Sequence, residues 1–272
     1  MNSTRNIEAY VDGIGLLGPG LVSWEQARAV LRGEAPYSPG KTVLPSPQLL
    51  QPAERRRATT VIKLTLATGL AAVAAAELNP RDLPTVFSSS GGDGPNCHEI
   101  CTALASGDRL ISPTRFHNSV HNVASGYWGI ATGSMTPSVV LCAYDGSFAA
   151  ALLEALSQVM LSRSPVLLLA YDSNYPEPLF SVRPITDSFA VALVLVPKPS
   201  PRSLARVCVY PDAIFTDAPA QTLANPDLEA LRRTIPAARA LPLLSTLARM
   251  ESTSLALDGL PDQRLAIELS SC

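Results

Sequence analysis

The sequence is poor in charged residues and has no excess of basic ones. Asp, Glu, Lys and Arg make up 16% of its 272 residues, and the net charge is −2. Proteins that bind nucleic acids usually present a basic patch or stripe, whereas the one dense basic run here is Arg55–Arg57, followed by Lys63. We therefore expect no nucleic-acid partner. The run is interpreted as a solvated helix face, with docking of an acidic partner as the alternative.

Several motifs of well-understood chemistry are also absent. The sequence contains no C-x-x-C or H-E-x-x-H motif, no G-x-S-x-G elbow and no P-loop lysine motif. Their absence argues against the zinc, serine-hydrolase and nucleotide chemistries that such motifs support. The loop Ser88–Gly94 is rich in glycine and is interpreted as a tight turn after a strand. We expect no cofactor.

Histidine is scarce, since His98, His117 and His121 are the only three in the sequence. The last two are four residues apart, so on a helix they would share one face and could begin a zinc site, with Cys97 and Cys101 as further ligands. We nevertheless expect no metal. The expectation is that two histidines and two asparagines fix a loop at a subunit boundary through hydrogen bonds: His117, Asn118, His121 and Asn122.

The cysteine count and the opening residues bear on the compartment. Five cysteines are an odd number for a set of disulfides, and Met1–Tyr10 is polar and lacks the apolar core of a secretory signal. We therefore expect a cytoplasmic protein. The stretch Thr60–Leu78 is rich in Ala, Leu and Val but contains Lys63. We interpret it as a buried core helix and expect no membrane association.

The hydrophobic pattern predicts the fold class. Hydrophobic residues make up 47% of the chain, which is enough for a large core. Short apolar runs bounded by turn residues predict strands at Tyr10–Leu17, Pro84–Ser90, Ser138–Ala143, Pro165–Tyr171, Phe189–Val196, Arg206–Phe215 and Leu265–Leu269. Helical spacing predicts helices at Trp24–Arg32, Ala53–Leu78, His98–Ala105, Ser147–Leu161, Leu228–Ile235 and Ala238–Met250. This alternation predicts an α/β layered fold with a largely parallel sheet.

The segment Ile111–Ser147 carries the most specific pattern in the chain. It resembles the β-ketoacyl-ACP synthases of fatty-acid and polyketide assembly, which have an ISP-type entry, an Asn, a hydrophobic helix and a G-x-x-G-P-S turn before a strand. Thr136 stands where that family has the Gly of G-P-S. The segment HNSVHN and the short length of the chain resemble the truncated, chain-length-factor-like proteins of aryl-polyene-type clusters. The positions that match without a gap are Ile111, Ser112, Pro113, Asn122, Gly126, Ile130, Gly133, Pro137 and Ser138.

The resemblance implies that the catalytic position is vacated. The family's nucleophilic Cys lies where a buried strand meets a helix N-terminus, which stabilises a thiolate. The same alignment places Asp145 there, and we interpret it as the N-cap of the following helix. Cys142 is interpreted as a small buried hydrophobe and is only a weak candidate nucleophile. The oxyanion residues of the family's C-terminal half have no counterpart, because no histidine follows His121.

The resemblance also implies a fold and an interface. We expect a thiolase-like fold in which residues 1–200 form a synthase-like N-terminal domain and residues 201–272 form a short extension that packs on the same domain. In the family, the strand before the nucleophile pairs with its twin across a two-fold axis, and the preceding loop reaches the partner's acyl pocket. The residues at these positions are Arg115, Phe116, Val139, Val140 and Leu141.

Three functions fit these observations. The first is a non-catalytic, chain-length-factor-like subunit that pairs with an active ketosynthase or with itself and meets an acyl carrier protein, for which the basic run would be a docking point. The second is a small acyltransferase or thioesterase that uses Cys142 with His117 or His121. The third is a carrier-protein binding module without a synthase partner.

Overall fold

The protein was analysed as a computed structural model that describes residues 6–259 and 263–272. The prediction made from Met1–Tyr10 rests partly on residues 1–5, which lie outside the described residues. The described residues form eight strands: β1 (Ile7–Leu17), β2 (Thr85–Ser88), β3 (Ser138–Leu141), β4 (Val166–Asp172), β5 (Phe189–Val196), β6 (Ala205–Val209), β7 (Thr253–Asp258) and β8 (Arg264–Ser271). They join in one sheet with the order β3-β2-β4-β5-β1-β6-β8-β7.

Helices connect these strands and cover the sheet. The described helices are α1 (Trp24–Arg32), α2 (Pro52–Arg57), α3 (Thr60–Ala75), α4 (Gly94–Ala105), α5 (Pro113–His117), α6 (Val123–Thr132), α7 (Ser147–Ser162), α8 (Leu179–Val182), α9 (Pro226–Thr234) and α10 (Leu241–Arg249). Short 3-10 helices lie at Pro80–Asp82, Tyr144–Gly146, Pro211–Ala213 and Pro236–Ala240.

The predicted largely parallel sheet is wrong. Only β3, β2 and β4 run parallel, whereas β4–β5 and every later pair among the described strands are antiparallel. The parallel strands are joined by long connections that contain α4 to α7. Only the four-residue helix α8 lies between β4 and β5, and a connection without a full crossover helix suits antiparallel neighbours.

The sheet is packed on both faces. One core contains buried residues of α1, α7 and α10, and the other contains buried residues of α3 and α6. Close contact between β1 and α3 requires glycine, because a Cβ on Gly15 would lie 1.9 Å from the carbonyl oxygen of Thr68. The architecture is therefore helix, sheet, helix, with both faces of the central strands buried.

Helix α1 matches the prediction at both ends. The Ser23 hydroxyl accepts a hydrogen bond from the N–H of Gln26, and Gly33 ends the helix in the left-handed conformation. The predicted single helix over Ala53–Leu78 is wrong, because the chain leaves the helical conformation at Ala58 and divides it into α2 and α3. Helix α3 is buried in the core as expected. No helix in the described part of the chain has the length and hydropathy to cross a bilayer.

The segment after residue 200 continues the sheet. Strand β6 pairs directly with β1, and β8 and β7 follow it outward. Strand β7 was not predicted. Helix α10 packs against α1, and the two C-termini are joined reciprocally: Arg32 donates to the carbonyl of Ala248, and Arg249 donates to that of Leu31 at 3.2 Å. The boundary at residue 200 stays a prediction.

Candidate functional site

The parallel strands place the candidate residues at one end of the sheet. Because β3, β2 and β4 are parallel, their carboxyl ends meet at the same edge. Cys142 follows β3, Ser89 and Ser90 follow β2, and Asp172 ends β4. Asp145 lies in the 3-10 turn between β3 and α7. This edge is where α/β sheets usually form their binding sites.

Asp145 does not cap helix α7, so the predicted capping role is wrong. The N-cap residue is Gly146, and no side chain caps the helix. The Asp145 carboxylate instead accepts a hydrogen bond from Arg183 Nη2 at 2.7 Å and another from Arg239 Nη2 at 3.0 Å. Both are charge-assisted hydrogen bonds between ionised groups. Each carboxylate oxygen thus binds one arginine, and neither caps the helix.

These ion pairs extend into the C-terminal segment. Arg239 lies 3.7 Å from Asp258, which also pairs with Arg232, and Arg232 reaches Glu229 at 2.6 Å. Hydrogen bonds from Arg232 hold the pKa of Glu229 below its usual value. Together with Arg183 and Asp145, the cluster holds three arginines and three carboxylates, so its charges balance. Asp145 is thus part of an ion-pair network without net charge.

We expect Asp145→Asn and Asp145→Ala to destabilise the protein by similar amounts, about 2 kcal/mol each. This is less than the cost at a fully buried ion pair, because about a third of the Asp145 side chain (32%) is exposed. Both variants remove the carboxylate that Arg183 and Arg239 share, and Arg239 keeps only the longer contact with Asp258. Urea unfolding measures the effect, with the exposed Asp217→Asn as the control. A capping role predicts instead that Asn is tolerated and only Ala is costly.

Cys142 is exposed rather than buried, contrary to the interpretation as a buried hydrophobe. Its thiol donates to the carbonyl oxygen of Ser90, with Sγ 3.2 Å away. Nucleophilic chemistry requires the thiolate and a neighbouring base that accepts its proton. No hydrogen bond in the described structure joins Cys142 to a histidine. The local geometry therefore offers this thiol no general base.

The two central histidines do not share a helix face. Helix α5 ends at His117, and a turn separates it from α6. The His117 ring meets Tyr127 edge-on with centroids 6.4 Å apart, while Nε2 of His121 is buried without a hydrogen-bond partner. Asn122 is exposed at the start of α6. Asn118 is buried, and its amide donates to the carbonyl of Arg57 at 2.9 Å.

A free sheet edge and an apolar surface lie beside these residues. Strand β3 pairs with β2 on one side only and ends the sheet. Its residues Val139, Val140 and Leu141 are half-buried, so neither face of the strand is fully covered within one chain. The segments that precede and follow β3 in the sequence carry large exposed apolar side chains, and together with β3 we call these residues the β3 surface: Phe116, Val120, Ile130, Met135 and Tyr144. Monomeric proteins seldom leave such a surface uncovered.

Asp172 is a functional candidate that the sequence analysis missed. Its carboxylate accepts hydrogen bonds from the Ser90 N–H and hydroxyl at 2.9 and 2.7 Å, from the Ser89 hydroxyl at 3.3 Å, and from the Ala237 N–H at 2.8 Å. Burial raises its pKa to about 6, although these hydrogen bonds oppose the shift. The sequence feature that could have identified Asp172 is an acidic residue at the end of an apolar strand. Asp172 joins the loop after β2 to the C-terminal segment.

The basic run is divided between structural and solvent-facing roles. Arg55 donates to the carbonyls of Gln48 and Leu50 at 3.1 and 3.0 Å, so it holds the preceding loop. Arg57 pairs with Glu54 on the same helix at 3.2 Å. Arg56 is exposed. Among residues 6–259 and 263–272, no three His, Cys, Asp or Glu side chains converge as a metal site.

Solved structures share this fold. The ketosynthase ApeO in complex with its chain length factor ApeC, from Xenorhabdus doucetiae, aligns with a TM-score of 0.71 and 20% identity over 96% of this chain and 98% of that one. The AntDE:AntF structure, a type II PKS acyl-carrier protein in complex with its ketosynthase bound to the hexaketide, aligns with a TM-score of 0.73 and 11% identity over 98% and 100%. The chains matched in these two structures are thus about as long as this one. A β-ketoacyl synthase from Burkholderia phymatum STM815 aligns with a TM-score of 0.57 and 14% identity over 85% and 70%.

The sequence itself identifies the family. No curated protein matches it. The profile of the family described as "Beta-ketoacyl synthase, N-terminal domain" matches residues 24–252. Because this match covers well over half of the chain, the protein belongs to the β-ketoacyl synthase family and has its thiolase-like fold.

Proposed function

We propose that this protein is a non-catalytic, chain-length-factor-like subunit that pairs with an active ketosynthase in fatty-acid or polyketide assembly of the aryl-polyene kind. The proposal rests on Asp145, which we assign to the family's nucleophile position from the resemblance and whose carboxylate is bound by Arg183 and Arg239. An acylated carboxylate would be an anhydride, which hydrolyses readily, so Asp145 is a poor acyl carrier. A subunit without a nucleophile contributes by shaping a partner's site.

The β3 surface supports a partner across the sheet edge. An unpaired edge strand invites pairing with another strand, and β3 has one side free and half-buried apolar residues. Two of the structurally similar chains come from complexes of a ketosynthase with a chain length factor or with an acyl-carrier protein. By analogy, we propose that β3 pairs with the equivalent strand of a synthase, or with a second copy when the chain is isolated.

The acyl carrier protein is the second proposed partner. Helix α2 presents the exposed Arg56 beside Arg57, and Lys63 follows in the first turn of α3. A cluster of cationic side chains attracts an acidic protein surface and speeds its association. Because Arg55 is already bound to loop carbonyls, we assign docking to Arg56, Arg57 and Lys63.

The purified chain is expected to take up no acyl group from an acyl-loaded carrier protein. Intact-mass spectrometry measures this, with an active ketosynthase as the positive control. Asp145→Cys is expected to leave condensation absent, because a new thiol still lacks the oxyanion residues. A stable acyl adduct on Cys142 that disappears in Cys142→Ser would instead favour the acyltransferase function. Binding of the carrier protein without any synthase would favour the binding module.

A further inference from the structure

Helix α5 carries the residues that the resemblance places at a partner's pocket, yet nothing in the helix is buried. It has five residues, and all of them keep part of their surface exposed. Phe116 is 67% exposed and Arg115 lies beside it. A helix this short is marginal by itself. Its position must therefore depend on contacts made from outside the helix.

Two buried asparagine amides supply these contacts. Asn96, in the first turn of α4, donates from Nδ2 to the carbonyl of Arg115 at 2.9 Å. Asn118, the residue directly after α5, donates from Nδ2 to the carbonyl of Arg57 at 2.9 Å. Both side chains are buried, with 5% and 1% of their surfaces exposed. A buried donor that loses its acceptor carries the full desolvation cost, so these bonds hold strongly.

The ion pair between Arg115 and Glu99, at 3.4 Å, is weaker than the two amide hydrogen bonds. Both of its side chains are about half exposed. Exposed ion pairs contribute little, because water and salt screen them. The Arg115 carbonyl belongs to the last turn of α5, where helix carbonyls lack partners within the helix. The Asn96 amide satisfies that carbonyl and fixes the end of α5 that bears Phe116.

Asn118 also joins α5 to α2. Helix α2 contains no buried residue either, and the Arg57 carbonyl is in its last residue. One amide therefore ties together two short exposed helices, of which one carries the basic residues Arg56 and Arg57 and the other carries Phe116. A change at Asn118 is expected to loosen both helices, whereas a change at Asn96 loosens α5.

We infer that Asn96 and Asn118 are positioning residues that fix Phe116 on the β3 surface, and that they thereby set how sharply the length of the partner's product is defined. This inference rests on the proposed function, in which Phe116 limits the partner's acyl pocket. The Phe116 side chain occupies part of the partner's acyl pocket, and the two amide hydrogen bonds determine the position of that side chain. Loss of an amide is expected to broaden the range of products, whereas loss of the phenyl ring shifts it to longer chains.

The test uses Asn96→Ala and Asn118→Ala, with Phe116→Ala as the reference and the exposed Asn174→Ala as the matched control. Hydrogen exchange of residues 113–117 is measured on the isolated protein. Product lengths are measured after reconstitution with a partner ketosynthase and its acyl carrier protein. We expect exchange to rise about two- to tenfold in both asparagine variants, as the loss of one hydrogen bond predicts. Their products are expected to spread in length, and Asn174→Ala is expected to change neither readout.

The two proposals fail in different ways. Unchanged exchange at residues 113–117 in both asparagine variants overturns the positioning role, whatever the products. A narrow, unshifted product range in both variants also overturns it, while longer products from Phe116→Ala leave the proposed function standing. If Phe116→Ala itself changes nothing in a working complex, the pocket role fails and the inferred effect on products falls with it. Because the two amides bind different carbonyls, those of Arg115 and Arg57, misfolding of one variant still leaves the other.

Discussion

Replacing Val139 with lysine is expected to convert the proposed dimer into monomers. Val139 is half-buried in the edge strand β3. Its neighbours Val140 and Leu141 pack against the two cores, so a charge there would also disturb the fold of the subunit. Of the three residues, Val139 is therefore the one whose replacement tests pairing at the strand edge without disturbing the core. In a two-fold pairing the same surface serves both subunits, so two ammonium groups would meet within an apolar contact.

Light scattering of the purified protein measures this effect. Interfaces of permanent dimers bury upwards of about 2,000 Å², and a desolvated, unpaired charge at their centre costs several kcal/mol. We expect complete dissociation of Val139→Lys, with a melting temperature within a few degrees of a wild-type monomer. Val139→Thr, which keeps the shape without the charge, is expected to stay dimeric. A wild-type protein that is monomeric and soluble on its own, and that also fails to bind a synthase, would remove the basis for the partner.

Asp172 is expected to make the protein less stable as the pH rises from about 4 to about 6. Burial raises the pKa of this carboxyl to about 6 in the folded state, whereas an unfolded Asp titrates near 3.9. The folded protein therefore binds the proton over a range in which the unfolded chain has released it. This binding stabilises the fold below about pH 4, and the contribution is lost by about pH 6. It amounts to roughly 3 kcal/mol.

The measurement compares the free energies of unfolding of wild type and Asp172→Asn at a series of pH values. The variant cannot ionise, and its amide N–H faces the N–H of Ala237, which now donates to the carboxylate. We expect the variant to be less stable throughout, with a deficit that shrinks by roughly 3 kcal/mol as the pH rises through this window. Taking the difference cancels the other carboxylates, whose titration both proteins share. A stability deficit that grows with pH would show that the four hydrogen bonds lower the pKa of Asp172 by more than burial raises it.

Much of the local structure could be predicted from the sequence, because its causes lie within a few residues. Helix α1 is bounded by Ser23 and Gly33, whose capping and left-handed conformations are local properties. Strand β5 was predicted at Phe189–Val196 and is found there, because a continuous apolar run between polar residues is a sufficient signal. The matches between Ile111 and Ser138 also led correctly to the family, as the profile over residues 24–252 confirms.

The features that were missed depend on partners far away in sequence. Asp145 has the local signature of a cap, but its arginines lie 38 and 94 residues further along the chain. The direction of strand pairing from β5 onward leaves no trace in the apolar pattern of either strand. Asn118 resembles any polar loop residue until the carbonyl of Arg57, 61 residues earlier, is placed beside it. In each case a long-range polar contact overrides a local preference.

The position of β1 constrains the order in which the protein can assemble during synthesis. Although β1 comes first in the chain, it lies between β5 and β6 in the interior of the sheet. The intervening segment between Leu17 and Phe189 is 171 residues long, so at about 5–20 residues per second β1 waits roughly 10–30 s for its first neighbour. During this wait its apolar residues and unpaired backbone are open to wrong pairings. Yield in the cell is therefore expected to depend on chaperones that hold the nascent N-terminal strand.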